Sequence, residues 1–253
     1  LSDCDTICNI DISDVIDRHE ETGADFTVVV KRITEGGITS PRHSVIFSDA
    51  EGRITDATEF SDDIRPGQEI STNIMVINRM YLLNILGDAA AHGYTSFFRD
   101  VIARNIHHAN YRVYHYDGYY ALVSSLAGYF DCSMQLLRAD VRDALFGVAE
   151  RPIYTKVRNS APTIYRTGSS VGNTLIADGC IIEGTVENSI IFRGVKVGRG
   201  SVVRNSILLQ DTVVGSGVSL NCVVTDKNTM VRDGRVLSGH ETMPFFIGKG
   251  IMV

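Results

Sequence analysis

The sequence predicts two structural classes in one chain, an α/β unit followed by a left-handed parallel β-helix. Beyond about residue 171, apolar residues recur every six positions, as in Ile191, Val197, Val203 and Leu209. Before that stretch, β-branched runs alternate with segments of helical periodicity. Neither a helix nor an ordinary strand has a period of six, whereas a coil of three six-residue strands does.

In such a coil the first residue of each hexapeptide points inward, and the residue four positions later fills a corner. The pairing continues on both sides of the regular block, in Ile176/Cys180, Ile182/Val186, Val214/Val218 and Leu220/Val224. Three extra residues after Val186 and one missing residue between Leu209 and Val214 interrupt the phase, and we interpret both as corner loops. One coil cannot bury its own core, so we expect successive coils to stack.

The first part predicts alternating strands and helices. After a short strand near Ile7, the expected elements are a helix at 14–21, strands at 25–31, 43–47, 53–58 and 71–78, helices at 79–92 and 95–106, a strand at 111–116 and a helix at 124–140. This alternation predicts a mostly parallel sheet. Prolines mark a connection after it. The expected domains are therefore residues 1–150, a connector at 151–170 and a β-helix at 171–253.

Composition and charge restrict the class of protein. The hydrophobic fraction is 44%, and no apolar run approaches the roughly 20 residues of a membrane span. Residues 1–150 carry 12 Lys+Arg against 23 Asp+Glu, whereas residues 151–253 carry 12 against 7. We expect a cytoplasmic protein that does not bind membranes. We also expect no binding of nucleic acid, because no basic run accompanies the cluster of tyrosines at Tyr111, Tyr114, Tyr116, Tyr119 and Tyr120. The basic part could attract a small anion such as a phosphorylated metabolite.

Several stretches resemble the sugar-1-phosphate nucleotidyltransferases, most closely bacterial glucose-1-phosphate adenylyltransferase, also called ADP-glucose pyrophosphorylase. They include STNIMVINRMYLLNIL, RPIYTKVRNSAPTIY and LIADGCIIEGTVENSIIFRGVKVGRGSVV. The resemblance implies a nucleotidyltransferase-like α/β domain, with a partial Rossmann-like mixed sheet, before the β-helix. It also implies that a glycine-rich nucleotide loop precedes Leu1 in the whole protein.

The resemblance implies a magnesium-dependent transfer of an adenylyl group from ATP to glucose 1-phosphate. In that family, two aspartates hold the metal that spans the phosphates. Asp5 matches the first of them and Asp11 matches a second acid of the same loop, but Leu122 stands at the position of the second metal aspartate. Ser71 matches a serine near the sugar.

Other departures from the family pattern have the same direction. Cys4 replaces a loop glycine, and the stretch DATEFS at 56–61 lacks the family's sugar-phosphate lysine. Because each lost contact to transition-state charge typically costs several kcal/mol, we assign no catalytic residue and expect no bound magnesium here. The pattern resembles the regulatory, GlgD-type subunit, which implies self-association and a homologous catalytic subunit in a mixed tetramer.

The β-helix of this family contributes subunit contacts and part of a site for phosphorylated effectors. Lys227 matches an activator-binding lysine of plant relatives and is the first effector candidate. Lys156 and Arg158 on the connector are weaker candidates. Surface charges on turns are an equally good interpretation of all three.

Two other functions stay open at this point. The chain could be a competent nucleotidyltransferase whose metal is held by another acid, such as Asp117. It could also be a hexapeptide acyltransferase, but that class uses a histidine between coils, and His240 is the first histidine of the β-helix stretch. Substitution of Leu122 by aspartate distinguishes a degenerate metal site from an intact alternative.

Overall fold

The computed structural model describes residues 1–34, 43–61 and 63–253, without the side chain of Phe60. These residues form two compact units, Leu1–Leu122 and Val123–Val253. No helix in the described ranges has both the length and the apolar character that a bilayer crossing requires.

The first unit combines one larger sheet, a two-stranded ribbon and helices. Its strands are β1 (Thr6–Cys8), β2 (Phe26–Arg32), β3 (His43–Ser48), β4 (Ile54–Ser61), β5 (Glu69–Ile77), β6 (Tyr111–His115) and β7 (Tyr120–Leu122). Its helices are α1 (Ile12–Glu21), α2 (Arg79–His92), a π-helical turn at Phe98–Ile102 and α3 (Ala103–Asn105). The predicted elements are therefore present, with small shifts at their ends.

The larger sheet is mixed, in the order β4-β3-β5-β2-β6. Only β2 and β6 pair in parallel, whereas the β2–β5, β3–β4 and β3–β5 pairs are antiparallel. The expectation of a mostly parallel sheet was wrong, because a parallel pair needs a long crossover and β3 joins β4 through a tight turn. That turn is held by Asp49, whose carboxylate accepts hydrogen bonds from the backbone N–H groups of Glu51 and Arg53.

One apolar cluster holds this sheet together. Phe26 on β2 and Tyr111 on β6 stack with their ring centroids 4.9 Å apart, and both are fully buried. Phe98 and Ile102 of the π-helical turn belong to the same cluster. The stretch predicted as a helix from residue 95 therefore supplies part of the core that supports the parallel pair.

The second unit is a three-sided parallel β-helix with two helices before it. The helices are α4 (Leu126–Gln135) and α5 (Ala139–Phe146). The strands are β8 (Ile164–Tyr165), β9 (Ser170–Gly172), β10 (Leu175–Ile176), β11 (Ile181–Ile182), β12 (Thr185–Glu187), β13 (Ile190–Ile191), β14 (Lys196–Val197), β15 (Val202–Arg204), β16 (Ile207–Leu208), β17 (Val213–Val214), β18 (Ser219–Asn221), β19 (Val223–Thr225), β20 (Met230–Val231), β21 (Val236–Ser238) and β22 (Phe245–Ile247). They form three five-stranded sheets, which confirms the β-helix predicted from the hexapeptides.

The coils are slightly shorter than three hexapeptides. Lys196 pairs with Val213, and Val213 pairs with Met230, so each of these coils takes 17 residues. The missing residue shifts the inward position, because Leu208 is fully buried in the coil core whereas Leu209 is half-buried in a different cluster. The prediction that Leu209 points inward was therefore wrong by one residue.

Asparagines at one corner explain the shortening. Asn173, Asn188 and Asn205 have positive φ values of 43°, 45° and 45°, a conformation that asparagine tolerates better than most residues. The side chain of Asn173 donates to Asn188 Oδ1 at 2.8 Å, so neighbouring coils are also linked by side-chain amides. Cys222 continues this column with a φ of 50°.

The helix predicted at 124–140 is split, and its first part covers the β-helix. Ser125 caps α4 by accepting a hydrogen bond from the N–H of Gly128. Phe130 packs with outward-facing Ile207 and with Cys222, so Cys222 does not lie in the inward core where Cys180 lies. Residues 123–150 thus group with the β-helix, whereas the sequence placed the domain border at residue 150.

Candidate functional site

The ribbon of β1 and β7 brings together Asp5 and Leu122, the two positions that the resemblance relates to a metal. Thr6 pairs with Leu122 in antiparallel register, so Asp5 directly precedes the residue opposite Leu122. The hydroxyl of Thr6 donates to the backbone oxygen of Thr72 at 2.8 Å and ties this ribbon to β5. Asp5 and Leu122, which are far apart in the sequence, are therefore neighbours in space.

The side chains at this place do not fit a magnesium ion. Magnesium takes near-octahedral oxygen ligands, and Leu122 supplies none. The Oδ1 atom of Asp5 is buried and accepts no hydrogen bond. In the ranges that the structure describes, no group of three or more His, Cys, Asp and Glu side chains could hold a metal ion, and this includes Asp117.

Tyr120, the first residue of β7, lies near Asp5. It pairs with Cys8. Burial raises the pKa of the Tyr120 hydroxyl, and the negative charge of Asp5 raises it further. A neutral phenol and a leucine thus stand where a metal-binding cleft would need charged oxygen ligands.

A cavity of about 380 Å³ lies next to the beginning of the chain. Its polar lining comes from Ser2, Asp3, Ser44 of β3, Glu59 of β4, Asn73 of β5 and Ser96. The hydroxyl of Ser96 donates to Glu59 Oε1 at 2.6 Å. The DATEFS stretch at 56–61, where the resemblance implies a sugar-phosphate lysine, therefore meets the SFFRD stretch at 96–100 in one cavity. Its lining, as far as the structure describes it, contains no lysine or arginine.

Arg99 of the SFFRD stretch does not line this cavity. Its guanidinium contacts the carboxylate of Asp100, which also accepts hydrogen bonds from the backbone N–H groups of Thr95 and Ser96. The hydrogen bonds from Arg99 and from these two N–H groups hold the pKa of Asp100 well below its usual range. Arg99 therefore stabilises the start of the helical turn instead of replacing the family's missing lysine.

Ser71 and Asp11 have structural contacts. Ser71 is buried, and its hydroxyl accepts a hydrogen bond from the N–H of Asn73, which has a positive φ of 60°. Asp11 is the N-cap of α1 and accepts a hydrogen bond from the N–H of Ser13 at 3.0 Å. A role for either residue in contacting substrate stays a prediction.

Lys227 lies at one corner of the β-helix, where basic residues of other coils also lie. Lys227 is exposed at a turn, and the backbone bond from Gly250 N–H to its carbonyl places Lys249 one coil further. Two coils before Lys227 stands Arg193, which forms an ion pair with Asp178 at 3.1 Å and donates to the backbone oxygen of Lys156 at 3.5 Å. Sequence reasoning missed Lys249 and Arg193, since only the coil length shows which turns stack.

A second polar cluster that sequence reasoning missed surrounds Glu69. Its Oε1 atom accepts hydrogen bonds from Arg32 Nη2 at 2.8 Å and contacts His115 Nε2 at 2.9 Å, while Oε2 accepts from the Ser48 hydroxyl at 3.2 Å. Burial alone would raise the pKa of Glu69, but the hydrogen bonds from Arg32 and the contact with His115 lower it overall. The four residues lie on four strands, so no local motif signals them.

Replacing Glu69 with glutamine should lower the free energy of unfolding at pH 7 by about 2 kcal/mol, since it breaks a buried ion pair with a half-exposed partner. A lowered folded-state pKa adds stability that is present above the unfolded-state pKa and is lost as the pH falls through the folded-state value. Urea unfolding at pH 7 and pH 3 should show a smaller difference for Glu69→Gln than for the parent chain. Asp63→Asn, in an exposed pair with Arg65, is the control. Equal pH dependence in all three chains would contradict the assignment.

Comparison with known proteins supports the resemblance found in the sequence. Residues 161–242 match the family described as GlmU-like, C-terminal hexapeptide. The glycogen biosynthesis protein GlgD of Bacillus subtilis (strain 168) is 29% identical over 252 residues, which cover 100% of this chain and 62% of that protein. GlgD of Geobacillus stearothermophilus is 39% identical over 199 residues, 78% of this chain and 47% of that protein.

A glucose-1-phosphate adenylyltransferase is also similar. The enzyme of Thermosipho africanus (strain TCF52B) is 27% identical over 206 residues, which cover 79% of this chain and 48% of that enzyme. The chain thus spans about half to three-fifths of the length of these relatives. The resemblance to GlgD proteins and to glucose-1-phosphate adenylyltransferases is confirmed.

Proposed function

We propose that this chain is part of a regulatory, catalytically degenerate subunit of glucose-1-phosphate adenylyltransferase, which acts in the cytoplasm in glycogen biosynthesis. The observation that carries the proposal is that Leu122 lies beside Asp5, since the resemblance implies a second metal-binding aspartate at residue 122. With one carboxylate of the pair absent, the magnesium ion that neutralises ATP phosphates during adenylyl transfer would be held less firmly and positioned less well. The similarity to proteins named GlgD supports the same conclusion.

A subunit without its own chemistry acts through partners. We propose that it associates with a homologous catalytic subunit in a mixed tetramer and changes how that subunit responds to a phosphorylated effector. Lys227 is the first candidate for effector contact, with Lys249 one coil further on the same corner. Two ammonium groups on neighbouring coils suit a phosphate, because strands in a sheet lie about 4.8 Å apart. Lys156 and Arg158 lie on the exposed connector and are secondary candidates.

The complete gene product should show negligible turnover alone. Mixing it with a catalytic adenylyltransferase subunit should change the activity or the effector response of that subunit several-fold. The measurement is pyrophosphate release with each protein alone and with both. Full activity of the complete product alone would contradict the proposal.

The Leu122→Asp variant should acquire metal binding that the parent chain lacks. A second carboxylate next to Asp5 would restore the pair of acids that the resemblance implies, and two carboxylates bind a divalent cation more tightly than one. Binding of Mn²⁺, measured by electron paramagnetic resonance, should appear in Leu122→Asp and disappear again when Asp5 is also replaced by asparagine. Ala121→Asp, one residue away on the same strand, is the control, because neighbouring strand residues face opposite sides. Equal Mn²⁺ binding by the parent chain would favour an intact site instead.

A further inference from the structure

The cluster around Glu69 lines a cavity that the proposed function does not use. The cavity has a volume of about 450 Å³ and is bounded by β2, β3, β5, β6 and the turns at Asp49 and Gly67. This volume lies within the range of small-molecule sites. It shares no lining residue with the cavity at Glu59 and Ser96. The two are therefore separate places on the same unit.

Glu69 is the buried anchor of this cavity. Only 6% of its surface is exposed, yet its partners Arg32 and His115 keep 61% and 47% of their side chains exposed. A buried ion pair is seldom more stabilising than well-packed apolar residues, so stability alone does not account for it. A buried carboxylate with a shifted pKa in a cleft is a recognised mark of a binding site.

The donors and acceptors at the cavity suit a neutral ligand. Nε and Nη2 of Arg32 both donate to Glu69 Oε1, and the guanidinium is 61% exposed, so it can also donate to a ligand. Among the lining side chains that the structure describes, Arg32 is opposed by Glu69 and Asp49, so the cavity has no surplus of positive charge for a phosphate. A ligand with several hydroxyls can donate to a carboxylate and accept from a guanidinium at once.

A second cavity adjoins the first beside His115. Ala50, Gly52 and His115 also line a neighbouring cavity of about 360 Å³. The backbone bond from Val113 N–H to the Gly52 carbonyl, at 2.9 Å, joins the β3–β4 turn to β6 at this point. The convergent polar groups are thus placed on paired strands and not on a free loop, which keeps them preorganised.

We propose that the Glu69 cavity is a binding site for a neutral saccharide, held by Glu69, Arg32, His115 and Ser48. The proposal does not depend on the chain being a regulatory subunit, because it concerns another cavity and a binding reaction alone.

The test is a titration of the isotopically labelled chain, followed by backbone NMR shifts, with glucose, mannose and trehalose in one arm and inorganic phosphate and glucose 6-phosphate in the other. Neutral saccharides should shift resonances of β2, β5 and β6. His115→Ala keeps the Arg32–Glu69 pair but removes the imidazole that contacts Glu69 and lines the cavity. It should weaken saccharide binding at least about tenfold, which is the size of effect expected when a hydrogen bond that involves a charged group is lost. Arg32→Lys, which keeps the charge but loses the planar fork, should also weaken it.

His108→Ala is the matched control, since His108 is an exposed histidine outside both cavities. It should bind saccharides like the parent chain. Absence of saccharide binding, binding of phosphate only, or saccharide binding unchanged in His115→Ala would each overturn the proposal. Folding of every variant is checked in the same spectra by the unshifted resonances of α1 and α2, which belong to the same unit as the substituted residues.

Discussion

Replacing Leu208 with alanine should lower the free energy of unfolding of the β-helix by about 3 kcal/mol, in the range for large-to-small core substitutions. Leu208 is fully buried and packs in the cluster that runs through the coils with Ile191 and Leu220. The stacked coils on both sides are held by backbone hydrogen bonds, so the walls of the new cavity cannot collapse. Hydrogen exchange of peptides covering residues 190–231, measured in the whole chain, reports the local loss.

Leu209→Ala is the matched control for this substitution. Leu209 is half-buried and lies against the cluster that α4 covers, so its truncation should cost about 1 kcal/mol or less. The ratio of the two effects tests the 17-residue coil directly, because a strict six-residue repeat would place Leu209 inside. A larger effect for Leu209→Ala than for Leu208→Ala would show that the inward position has been assigned wrongly.

Replacing Gly198 with alanine should be about as costly, for a different reason. A Cβ atom at Gly198 would lie 2.4 Å from the carbonyl oxygen of Gly215 in the next coil. Gly198 N–H also donates to the Val214 carbonyl at 2.9 Å, so the two coils cannot separate without losing their ladder. Overpacking against backbone should cost about 3 kcal/mol. Thermal unfolding monitored by circular dichroism should show a lower transition temperature for Gly198→Ala than for the parent chain.

Gly200→Ala separates this clash from backbone strain. Gly200 has a φ of 72°, but nothing lies within 4 Å of the added Cβ atom. Its substitution should therefore cost only the penalty of a left-handed residue, about 1 kcal/mol. If both variants unfold at the same temperature, close contact between coils is not what requires glycine at position 198.

Elements with a strong local signal were predicted well. The helix at 79–92 has the predicted ends, because Asn78 caps it and Gly93 adopts a φ of 66° after its last turn. The strand at 25–31 shifts by one residue, since an unbroken β-branched run has little alternative. The helix after Ser125 was predicted too long, because only packing on the β-helix decides where α4 ends.

The candidate site was predicted in part. The resemblance selected Asp5 and Leu122 as the two positions of interest, and the register of β1 and β7 places them side by side. No local sequence pattern indicates the polar cluster at Glu69, because Arg32, Ser48 and His115 contact it from separate strands. The same limit applies to Lys249, which joins the corner of Lys227 only through the stacking of coils.

The sequence by itself determined the two fold classes and the position of the β-helix, because periodicity and residue type are local properties of a chain. Only the tertiary structure decided the antiparallel pairs of the sheet, the inward phase at Leu208 and the cluster at Glu69. These depend on which distant segments become hydrogen-bonded neighbours, and pairing across strands is an energy of the whole fold and not of any one segment.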